Sequence, residues 1–431
     1  MKQKLYLCLM LLSAFLISNC GAAVNPVPSP IASVTVLIEN STPTETNTPA
    51  ITPTSTLSPS GIEYHCINIS DDMTQLGSLN GTLVLNGHLV PTGNGKLISN
   101  PSLLVDMSSD NEIALAADDL THAFVVSPDS DYLAFDVSIG NDYSKRQINI
   151  LDSKGNVLAE IEEKDFVSME WLSDKILLVD SQLEQYKNSP LIFLSPFDHT
   201  QKIVQPFVNE FERIIPLDHE WIYRWGFYSA HKIIYNPTFT RAIYAASDSN
   251  GSKIVFRDLT SNQDISAFYT QAWGVSPKWS PDGTKMAIGV NVNSITGKDE
   301  LVVLDQNGVQ LFATKLSTRP GKYAYISSLS WSPDGSRIAF WYTTSEDSNH
   351  DLRLAVFDIK TQKTIDYCIT NNAPAHLWHR NDTSPIWSPD GSFLLIETPN
   401  ANNNPNVVIV DLVQEGANII KTGYEPIGWM K

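Results

Sequence analysis

From about residue 62 onward, short apolar runs alternate with polar turns along the chain. Three of these runs follow the same turn, Trp-Ser-Pro-Asp-Gly, which starts at Trp279, Trp331 and Trp387. Proline presets φ at the second turn position, aspartate bonds to its own turn backbone, and glycine accepts a positive φ. Each copy therefore predicts two antiparallel strands joined by a tight turn. The three tryptophans are expected to pack between neighbouring repeats.

Degenerate copies of this unit lie near Val126, Trp171 and Tyr235, and the chain ends with a similar segment at Trp429. Downstream of each turn, a third apolar run ends in aspartate, and a polar turn leads into a fourth run. The strand-ending aspartates are Asp106, Asp152, Asp198, Asp258, Asp305, Asp358 and Asp411. Four strands in about 50 residues are typical of a blade in a radial repeat.

The three Trp-Ser-Pro-Asp-Gly copies resemble the TolB-like propeller repeat, over roughly residues 75–431. The resemblance implies an all-β propeller of four-stranded blades. The seven aspartates favour seven blades, and the six blades of the TolB family are the alternative. Residues 81–116 contain blade strands, but they lack the first strand that precedes the turn in the other repeats. We therefore expect the C-terminal strand to complete the first blade and close the ring, which would remove an aggregation-prone sheet edge.

Residues 1–19 are predicted to be a lipoprotein signal peptide. Lysines precede an apolar run over residues 5–17, which is shorter than the roughly 20 residues of a membrane span. The run leads to Cys20, which resembles the lipidated cysteine of bacterial lipoproteins, although Asn19 departs from the usual small residue there. An ordinary signal peptide with an incidental cysteine is the alternative. Acyl chains would anchor the protein to the bacterial membrane, facing the periplasm or the cell surface.

Residues 20–61 are predicted to be a disordered tether, and residues 62–431 the propeller domain. In residues 25–60, 21 of 36 positions are Pro, Ser or Thr. Such a segment buries too little apolar surface to offset its ordering entropy. Its prolines favour an extended, semi-stiff chain.

Cys66 and Cys368 are the thiols that remain beyond the predicted lipid anchor. An oxidising compartment outside the cytoplasm favours a disulfide between them. Two buried free thiols are the alternative.

The formal net charge of −18 makes nucleic acid a poor partner, because phosphate binding needs a basic surface. The sequence has no Gly-x-Ser-x-Gly elbow, P-loop or His-Glu-x-x-His motif. The His-x-x-His spacing of His376 and His379 has no evident third ligand, so neither a metal nor another cofactor is predicted. Turn residues recur because the fold recurs, and their expected role is structural: Asp129, Asp282, Gly283, Asp334, Gly335, Asp390 and Gly391.

The connections between blades are rich in aromatic residues, although loops are normally polar. In a propeller these connections emerge on one face, and their rings could stack on sugars or peptide side chains. A plug formed by the long connection over residues 209–230 is the alternative. The candidate binding face consists of Trp221, Tyr223, Arg224, Trp225, Tyr269, Trp273, Tyr323, Tyr325, His376, Trp378, His379 and Tyr424.

These patterns predict a monomeric, lipid-anchored propeller outside the cytoplasm that binds a protein or a glycan of the cell envelope. The alternative is a propeller enzyme, a hydrolase or lyase acting on sugars. That activity would need a cluster of carboxylates and histidines facing the channel, and the sequence alone nominates no such residues.

Overall fold

The computed structural model describes most of the chain beyond residue 61. The described residues are 62–71, 79–87, 89–91, 97–109, 111–115, 124–139, 142–164, 168–173, 176–180, 191–204, 233–248, 251–269, 277–293, 298–316, 325–343, 352–371, 384–399 and 405–431. The predicted signal peptide, Cys20 and the tether lie outside these residues and stay predictions.

All regular elements in the described residues are β-strands. The chain begins with β1 (Ile62–Tyr64), β2 (Ile69–Ser70), β3 (Thr82–Gly87), β4 (Leu89–Pro91), β5 (Leu97–Ser99), β6 (Leu103–Asp106) and β7 (Asn111–Ala114). It continues with β8 (Phe124–Val126), β9 (Leu133–Ile139), β10 (Asp142–Leu151), β11 (Val157–Lys164), β12 (Ser168–Ser173), β13 (Ile176–Asp180), β14 (Leu191–Ser195) and β15 (Thr200–Val204).

The second half of the chain repeats this pattern more regularly. Its first strands are β16 (Ile233–Tyr235), β17 (Arg241–Asp248), β18 (Gly251–Asp258), β19 (Gln263–Tyr269), β20 (Lys278–Trp279), β21 (Lys285–Asn293), β22 (Lys298–Asp305) and β23 (Gln310–Ala313). The last strands are β24 (Tyr325–Trp331), β25 (Arg337–Thr343), β26 (Leu352–Asp358), β27 (Lys363–Asn371), β28 (Ile386–Trp387), β29 (Phe393–Pro399), β30 (Pro405–Asp411), β31 (Gly416–Thr422) and β32 (Tyr424–Met430).

These strands form antiparallel four-stranded units in chain order. Sheet 1 is β32-β3-β6-β7, sheet 2 is β8 to β11, sheet 3 is β12 to β15, and sheet 4 is β16 to β19. Sheet 5 is β20 to β23, sheet 6 is β24 to β27, and sheet 7 is β28 to β31. Strands β4 and β5 form a separate two-stranded ribbon.

The C-terminal strand belongs to sheet 1, because β32 pairs antiparallel with β3 from Thr82↔Met430 to Gly87↔Tyr424. Trp429 is 2% exposed, and its Nε1 donates a hydrogen bond to the carbonyl oxygen of Asn80 at 3.0 Å. The Lys431 amide then donates to a carbonyl oxygen in the first turn of sheet 2 at 2.8 Å. The last strand of the chain thus completes the four-stranded sheet that contains β3.

Two short strands near the N-terminus extend sheets that are already complete. Strand β1 pairs in parallel with β27, the outer strand of sheet 6. Strand β2 pairs in parallel with β31, the outer strand of sheet 7. Both sheets therefore have five strands, and the repeat pattern of the sequence did not predict this addition.

A recurring indole hydrogen bond joins successive sheets. Trp279 Nε1 donates to the carbonyl oxygen of Ile234, and Trp331 Nε1 donates to that of Lys278, at 3.3 and 2.9 Å. Trp387 does the same to Ser330 at 3.3 Å, and Trp171 to Val125 at 3.1 Å. In the previous sheet, each acceptor lies one residue before the position that is equivalent to the tryptophan. The sheets therefore pack with the same relative orientation.

Apolar side chains fill the space between each pair of neighbouring sheets. Strands are apolar on both faces, as in β29 and β30, because each sheet is covered on both sides. Rings contact each other between sheets 3 and 4 (Phe193–Tyr235) and between sheets 4 and 5 (Phe256–Trp279). The other neighbouring sheets share apolar clusters. Members of these clusters on sheets 1–2, 2–3, 5–6, 6–7 and 7–1 include Leu104 and Phe135, Ile148 and Trp171, Leu301 and Phe340, Trp341 and Leu394, and Ile409 and Leu83. Four-stranded antiparallel sheets packed face to face in chain order define a propeller-type, all-β fold.

Tyr235 occupies the position of the anchor tryptophan in sheet 4. Its ring packs against Phe193 and Phe239, with ring centroids 5.9 and 4.9 Å away, and it is 7% exposed. Its hydroxyl group has no hydrogen-bond partner in the described part of the chain. Burial raises the pKa of Tyr235 to about 12, so the group stays neutral.

We predict that Tyr235→Phe keeps the free energy of unfolding unchanged or raises it by about 1 kcal/mol, because it removes a buried hydroxyl without a partner. The matched control is Tyr342→Phe, whose hydroxyl donates to buried Asp366. That change should lower the free energy of unfolding by about 1.5–3 kcal/mol. Urea denaturation measures both values, and equal losses in the two variants would contradict the prediction.

We also predict that deleting residues 424–431 lowers stability sharply. The deletion removes the partner of β3 and a buried tryptophan, whose loss alone costs about 3–5 kcal/mol. Thermal and urea denaturation measure the effect. Lys431→Ala is the control, since its 3.4 Å ion pair with Asp131 is exposed and should contribute less than about 1 kcal/mol. A truncated protein that denatures like the full chain would show that the last strand is dispensable.

Candidate binding surface

The two ends of the sheets are built differently. At one end, here called the turn end, the first strand of a sheet turns into the second, and the third into the fourth. At the other, here called the loop end, the second strand leads to the third and the fourth leads to the next sheet. In sheet 6, for example, the turn between β24 and β25 spans only residues 332–336.

A self-contained hydrogen-bond network holds each first turn at the turn end. In sheet 6, Ser332 Oγ donates to Asp334 Oδ1 at 2.6 Å, and the Ser336 amide donates to the same oxygen at 3.0 Å. The Gly335 amide donates to the Ser332 carbonyl oxygen at 2.9 Å, and Gly335 has a φ of 66°. Glycine is favoured there because a side chain would be strained at this φ.

The same arrangement recurs around the other aspartates that the sequence singled out. The distance from the serine Oγ to the aspartate Oδ1 is 2.6 Å at Asp129, Asp282 and Asp390. Gly283 and Gly391 have φ values of 69° and 73°. The structure therefore places all these predicted turn residues in the turns between first and second strands.

These carboxyl groups are held ionised. Partial burial, the largest single contribution, raises the pKa of Asp334, but the hydrogen bonds from Ser332 and Ser336 together outweigh it and keep the pKa below its usual value of 3.8. The balance of causes is the same for Asp282 and Asp390. Acceptor-only groups that already accept several hydrogen bonds stabilise turns and are poorly suited to proton transfer.

The turns between third and fourth strands use their aspartates in the same way. Asp305 Oδ1 accepts hydrogen bonds from the amides of Asn307 and Val309 at 2.8 and 2.9 Å. Asp358 Oδ1 accepts from the Thr361 amide at 2.7 Å. The polar side chains of the turn end are thus used to build the turns.

Charged side chains are buried at both ends of the sheets. Arg257 and Asp411 lie near the turn end, and three further buried networks lie toward the loop end. In sheet 2, Arg146 is 2% exposed and Asp136 is fully buried. Arg146 Nε donates to Asp136 Oδ2 at 2.8 Å, and Nη1 donates to Ser138 Oγ at 2.8 Å. Burying two charges costs several kcal/mol of desolvation, which such geometry offsets.

Sheet 6 has a related network around the buried carboxylate of Asp366. Its oxygens accept hydrogen bonds from Arg353 Nε at 2.9 Å and Nη2 at 3.1 Å, and from the Tyr342 hydroxyl. The Cys368 amide donates to Asp366 Oδ1 at 2.7 Å. Tyr342 and Arg353 are directly paired near the loop-end termini of β25 and β26. The network therefore fixes the ends of the strands that flank a loop-end connection.

Sheet 5 places two consecutive buried carboxylates, Asp299 and Glu300, at the start of β22. Glu300 Oε2 accepts from the Thr314 hydroxyl and the Leu316 amide, both at 2.7 Å. Asp299 Oδ2 accepts from the Ile326 amide of sheet 6 at 3.4 Å. These bonds fix the start of β22, the end of sheet 5 and the start of sheet 6 at the loop end.

The sequence did not single out these buried charges. The only local signal is a charged residue within an apolar strand, such as Arg353 in Leu-Arg-Leu-Ala-Val-Phe. Its partner lies on another strand, so a sequence reading cannot separate it from an exposed charge.

Few residues of the predicted binding face fall within the described part. Tyr269 is the last residue of β19 and is 46% exposed, and the Nζ atom of Lys253 lies 5.6 Å from its ring centroid. Tyr325 is the first residue of β24. The others lie outside the described residues and stay predictions: Trp221, Tyr223, Arg224, Trp225, Trp273, Tyr323, His376, Trp378 and His379.

The assignment of Tyr424 to the binding face is wrong. Tyr424 is the first residue of the last strand and is only 9% exposed. Its side chain packs in the apolar cluster between sheets 7 and 1, which includes Leu85 and Val407. The strand begins one residue earlier than the sequence pattern indicates, so this aromatic ring belongs to the core.

The structure joins Cys66 and Cys368 in a disulfide bond, with their Cα atoms 4.7 Å apart across 302 residues of sequence. The bond links the N-terminal segment to β27. Within the described ranges, no group of three or more His, Cys, Asp or Glu side chains could hold a metal ion. No helix in that part of the chain is long and apolar enough to cross a membrane.

No protein-family model matches the chain, and no curated protein matches it. Among solved structures, the chain is similar to TolB from Acinetobacter baumannii, with 14% identity and a TM-score of 0.40, over 86% of this chain and 96% of TolB. A putative 6-phosphogluconolactonase from Bacteroides uniformis has 12% identity and a TM-score of 0.46, over 81% and 98% of the two chains. An oligogalacturonate lyase in complex with manganese has 14% identity and a TM-score of 0.48, over 78% and 86%. Similarity at this level assigns no activity, substrate or partner to the chain.

We predict that acid destabilises this fold through the turn-end carboxylates. Their pKa values are lower in the folded state than the usual 3.8, so the unfolded chain binds more protons as the pH falls below about 4. Their stabilising contribution is present above that pH and is lost as the pH falls through the folded-state values. Urea midpoints measured between pH 7 and pH 3 should therefore decline at the acid end.

The decline should be shallower when Asp282, Asp334 and Asp390 are all replaced by Asn. Replacing the three donor serines, Ser280, Ser332 and Ser388, by Ala should also make it shallower, because their hydrogen bonds lower the pKa values. An unchanged acid slope in both triple variants would contradict the assignment.

Proposed function

We propose that the chain is a lipid-anchored, seven-bladed propeller outside the cytoplasm that binds a protein or glycan of the cell envelope at its loop end. The observation that carries the proposal is the contrast between the two ends. The polar side chains of the turn end are used by its turns, whereas the loop end has rigidly held strand ends that lead into aromatic-rich connections.

Seven blades and a closed ring are supported by the contacts between sheets. Each sheet shares an apolar interface with the next, and sheet 7 shares one with sheet 1 through Ile409 and Leu83. The C-terminal strand that completes sheet 1 adds a hydrogen-bonded junction between the chain ends. Each sheet is then one blade.

Binding at the loop end is supported by where the connections begin and end. Strand β15 ends at Val204 and β16 begins at Ile233, so the segment that contains Trp221 and Trp225 joins two loop-end termini. The segment that contains Trp378 joins β27 to β28 in the same way. A loop whose two ends are held by rigid strands has fewer conformations before binding. It therefore loses less conformational entropy when it binds a ligand.

A binding role is favoured over catalysis by the state of the buried carboxylates. Asp136, Glu300 and Asp366 accept hydrogen bonds from named donors, and two of the three face an arginine. Hydrolysis of a glycosidic bond needs one carboxyl group that carries a proton and another poised near the scissile bond. The networks instead support a role in positioning the loop-end strands.

Anchoring is supported by the residue types of the N-terminal region. The predicted signal peptide leads to Cys20, and the Pro-, Ser- and Thr-rich residues 25–60 could span about 110 Å at ~3.1 Å per residue. The described chain begins at β1 on the outer strand of sheet 6.

Co-purification from envelope extract, together with a glycan array, tests the proposal. We predict reproducible enrichment of one protein or one glycan class by the full chain. Trp225→Ala and Trp378→Ala should reduce binding by about 10-fold or more, as aromatic anchors do, while the melting temperature stays unchanged. Val413→Ala is the control, because this 75% exposed apolar side chain lies at the turn end.

Three outcomes would contradict this prediction. The first is no enrichment on either platform. The second is equal loss of binding in the Val413→Ala control. The third is a lower melting temperature in the tryptophan variants with ligand binding retained, which would mean that the long connection plugs the channel.

A further inference from the structure

Residues 62–70, here called the N-terminal clasp, lie across the outer edges of sheets 6 and 7. Strand β1 pairs with β27 from Ile62↔Thr364 to Tyr64↔Asp366, and β2 pairs with β31 at Ile69↔Ala417. Both partner strands already belong to complete four-stranded units. The clasp is therefore an addition to finished sheets.

Backbone hydrogen bonds and modest apolar packing contribute to holding the clasp non-covalently. The His65 amide donates to the Asp366 carbonyl oxygen at 2.9 Å, and the Ile67 amide donates to that of Tyr367 at 3.0 Å. Ile67 is 8% exposed, and Ile62 is partly buried against the apolar cluster between sheets 5 and 6, whereas Tyr64 is 52% exposed. So little apolar burial is a weak counterweight to the entropy of ordering the segment.

The ion pairs of the clasp are also exposed. Glu63 Oε1 lies 2.6 Å from Lys363 Nζ, and the two side chains are 39% and 44% exposed. His65 Nδ1 lies 2.5 Å from Glu415 Oε1, with side chains 34% and 50% exposed. Solvent screens such pairs, so they contribute little to holding the segment in place.

One covalent bond provides the main hold, and β27 is shaped to form it. Cys368 has a φ of 59°, which is uncommon for a residue other than glycine, and the pairing of β26 with β27 shifts register beside it. The buried carboxylate of Asp366 accepts the Cys368 amide and stabilises this irregular backbone. Cys66, on the clasp, is exposed to solvent.

We propose that the N-terminal clasp is a redox-controlled latch, which a dithiol reductant releases while the seven four-stranded units stay folded. A thiolate of the reductant attacks Sγ of Cys66, the S–S bond breaks, and Cys368 leaves as a thiolate that takes up a proton. The second thiol of the reductant then displaces Cys66, which leaves as a thiol, and closes the reductant's own disulfide. Two electrons and two protons pass from the dithiol to the protein.

Release would expose the outer edges of β27 and β31 and free the chain ahead of sheet 1. The clasp contributes Ile62 and Ile67 to the clusters around Phe340 and Trp341. The other members of both clusters lie on the four-stranded units, so we expect these cores to persist after release. The latch is independent of the ligand that the loop end binds.

Hydrogen exchange measured by mass spectrometry tests the latch on the full chain, with and without dithiothreitol. Peptides that cover residues 62–70 should exchange about 10-fold or more faster after reduction, because the His65 and Ile67 amides lose their acceptors. Peptides that cover β26 should exchange as before, and the reduced protein should keep a cooperative melting transition. The Cys66→Ser/Cys368→Ser variant should behave like the reduced protein and should not respond to dithiothreitol.

Ile67→Ala is the matched control, because it removes the buried clasp contact and keeps the disulfide bond. Its clasp should remain protected until dithiothreitol is added. Unchanged exchange of residues 62–70 after reduction, verified by thiol labelling, would overturn the proposal. Faster exchange throughout the domain, or release of the clasp in Ile67→Ala without reductant, would overturn it as well.

Discussion

The whole fold depends on covering every sheet on both faces. A strand such as β30 is buried along its full length, so a single four-stranded unit would leave one apolar face in water if it lacked a neighbour. A linear stack of sheets would always leave two such faces at its ends. Sheets 7 and 1 share an apolar cluster that covers one face of each, and the last strand of the chain pairs within sheet 1 beside this cluster.

The indole hydrogen bonds explain how successive sheets keep one orientation. Packing of apolar side chains is not directional, and it would tolerate small shifts of one sheet past another. A Trp N–H that must reach one carbonyl oxygen removes that freedom, as at Trp331 and Lys278. Sheet 4 has Tyr235 at this position, and its ring packs against Phe193 and Phe239.

Local features of this fold could be predicted from the sequence, and long-range ones could not. The Ser332–Asp334–Gly335 turn is made of contacts within a few residues, so its composition predicts its structure. The final strand was predicted because the first repeat lacked an anchor. The clasp pairs residues some 300 positions apart in parallel, and the network of Arg353 and Asp366 joins two strands, so neither has a local signature. Within the candidate site, Tyr269 is exposed and its binding role stays a prediction, while Tyr424 lies in the core because the last strand begins one residue earlier than expected.

The acidic residues of this chain also protect the open edges of its sheets. In the described sheets, β11 and β19 pair on one side only, and both carry exposed apolar residues, including Val157 and Ile265. Such edges invite pairing with another chain. Sheets 6 and 7 are covered by the clasp, whereas β11 carries three glutamates in the sequence Val-Leu-Ala-Glu-Ile-Glu-Glu-Lys. A net charge of −18 adds repulsion between whole molecules. A covering strand and negatively charged side chains are therefore two ways to prevent an edge strand from pairing with another chain. Reduction of the disulfide bond would remove the covering strands from sheets 6 and 7 and expose their edges.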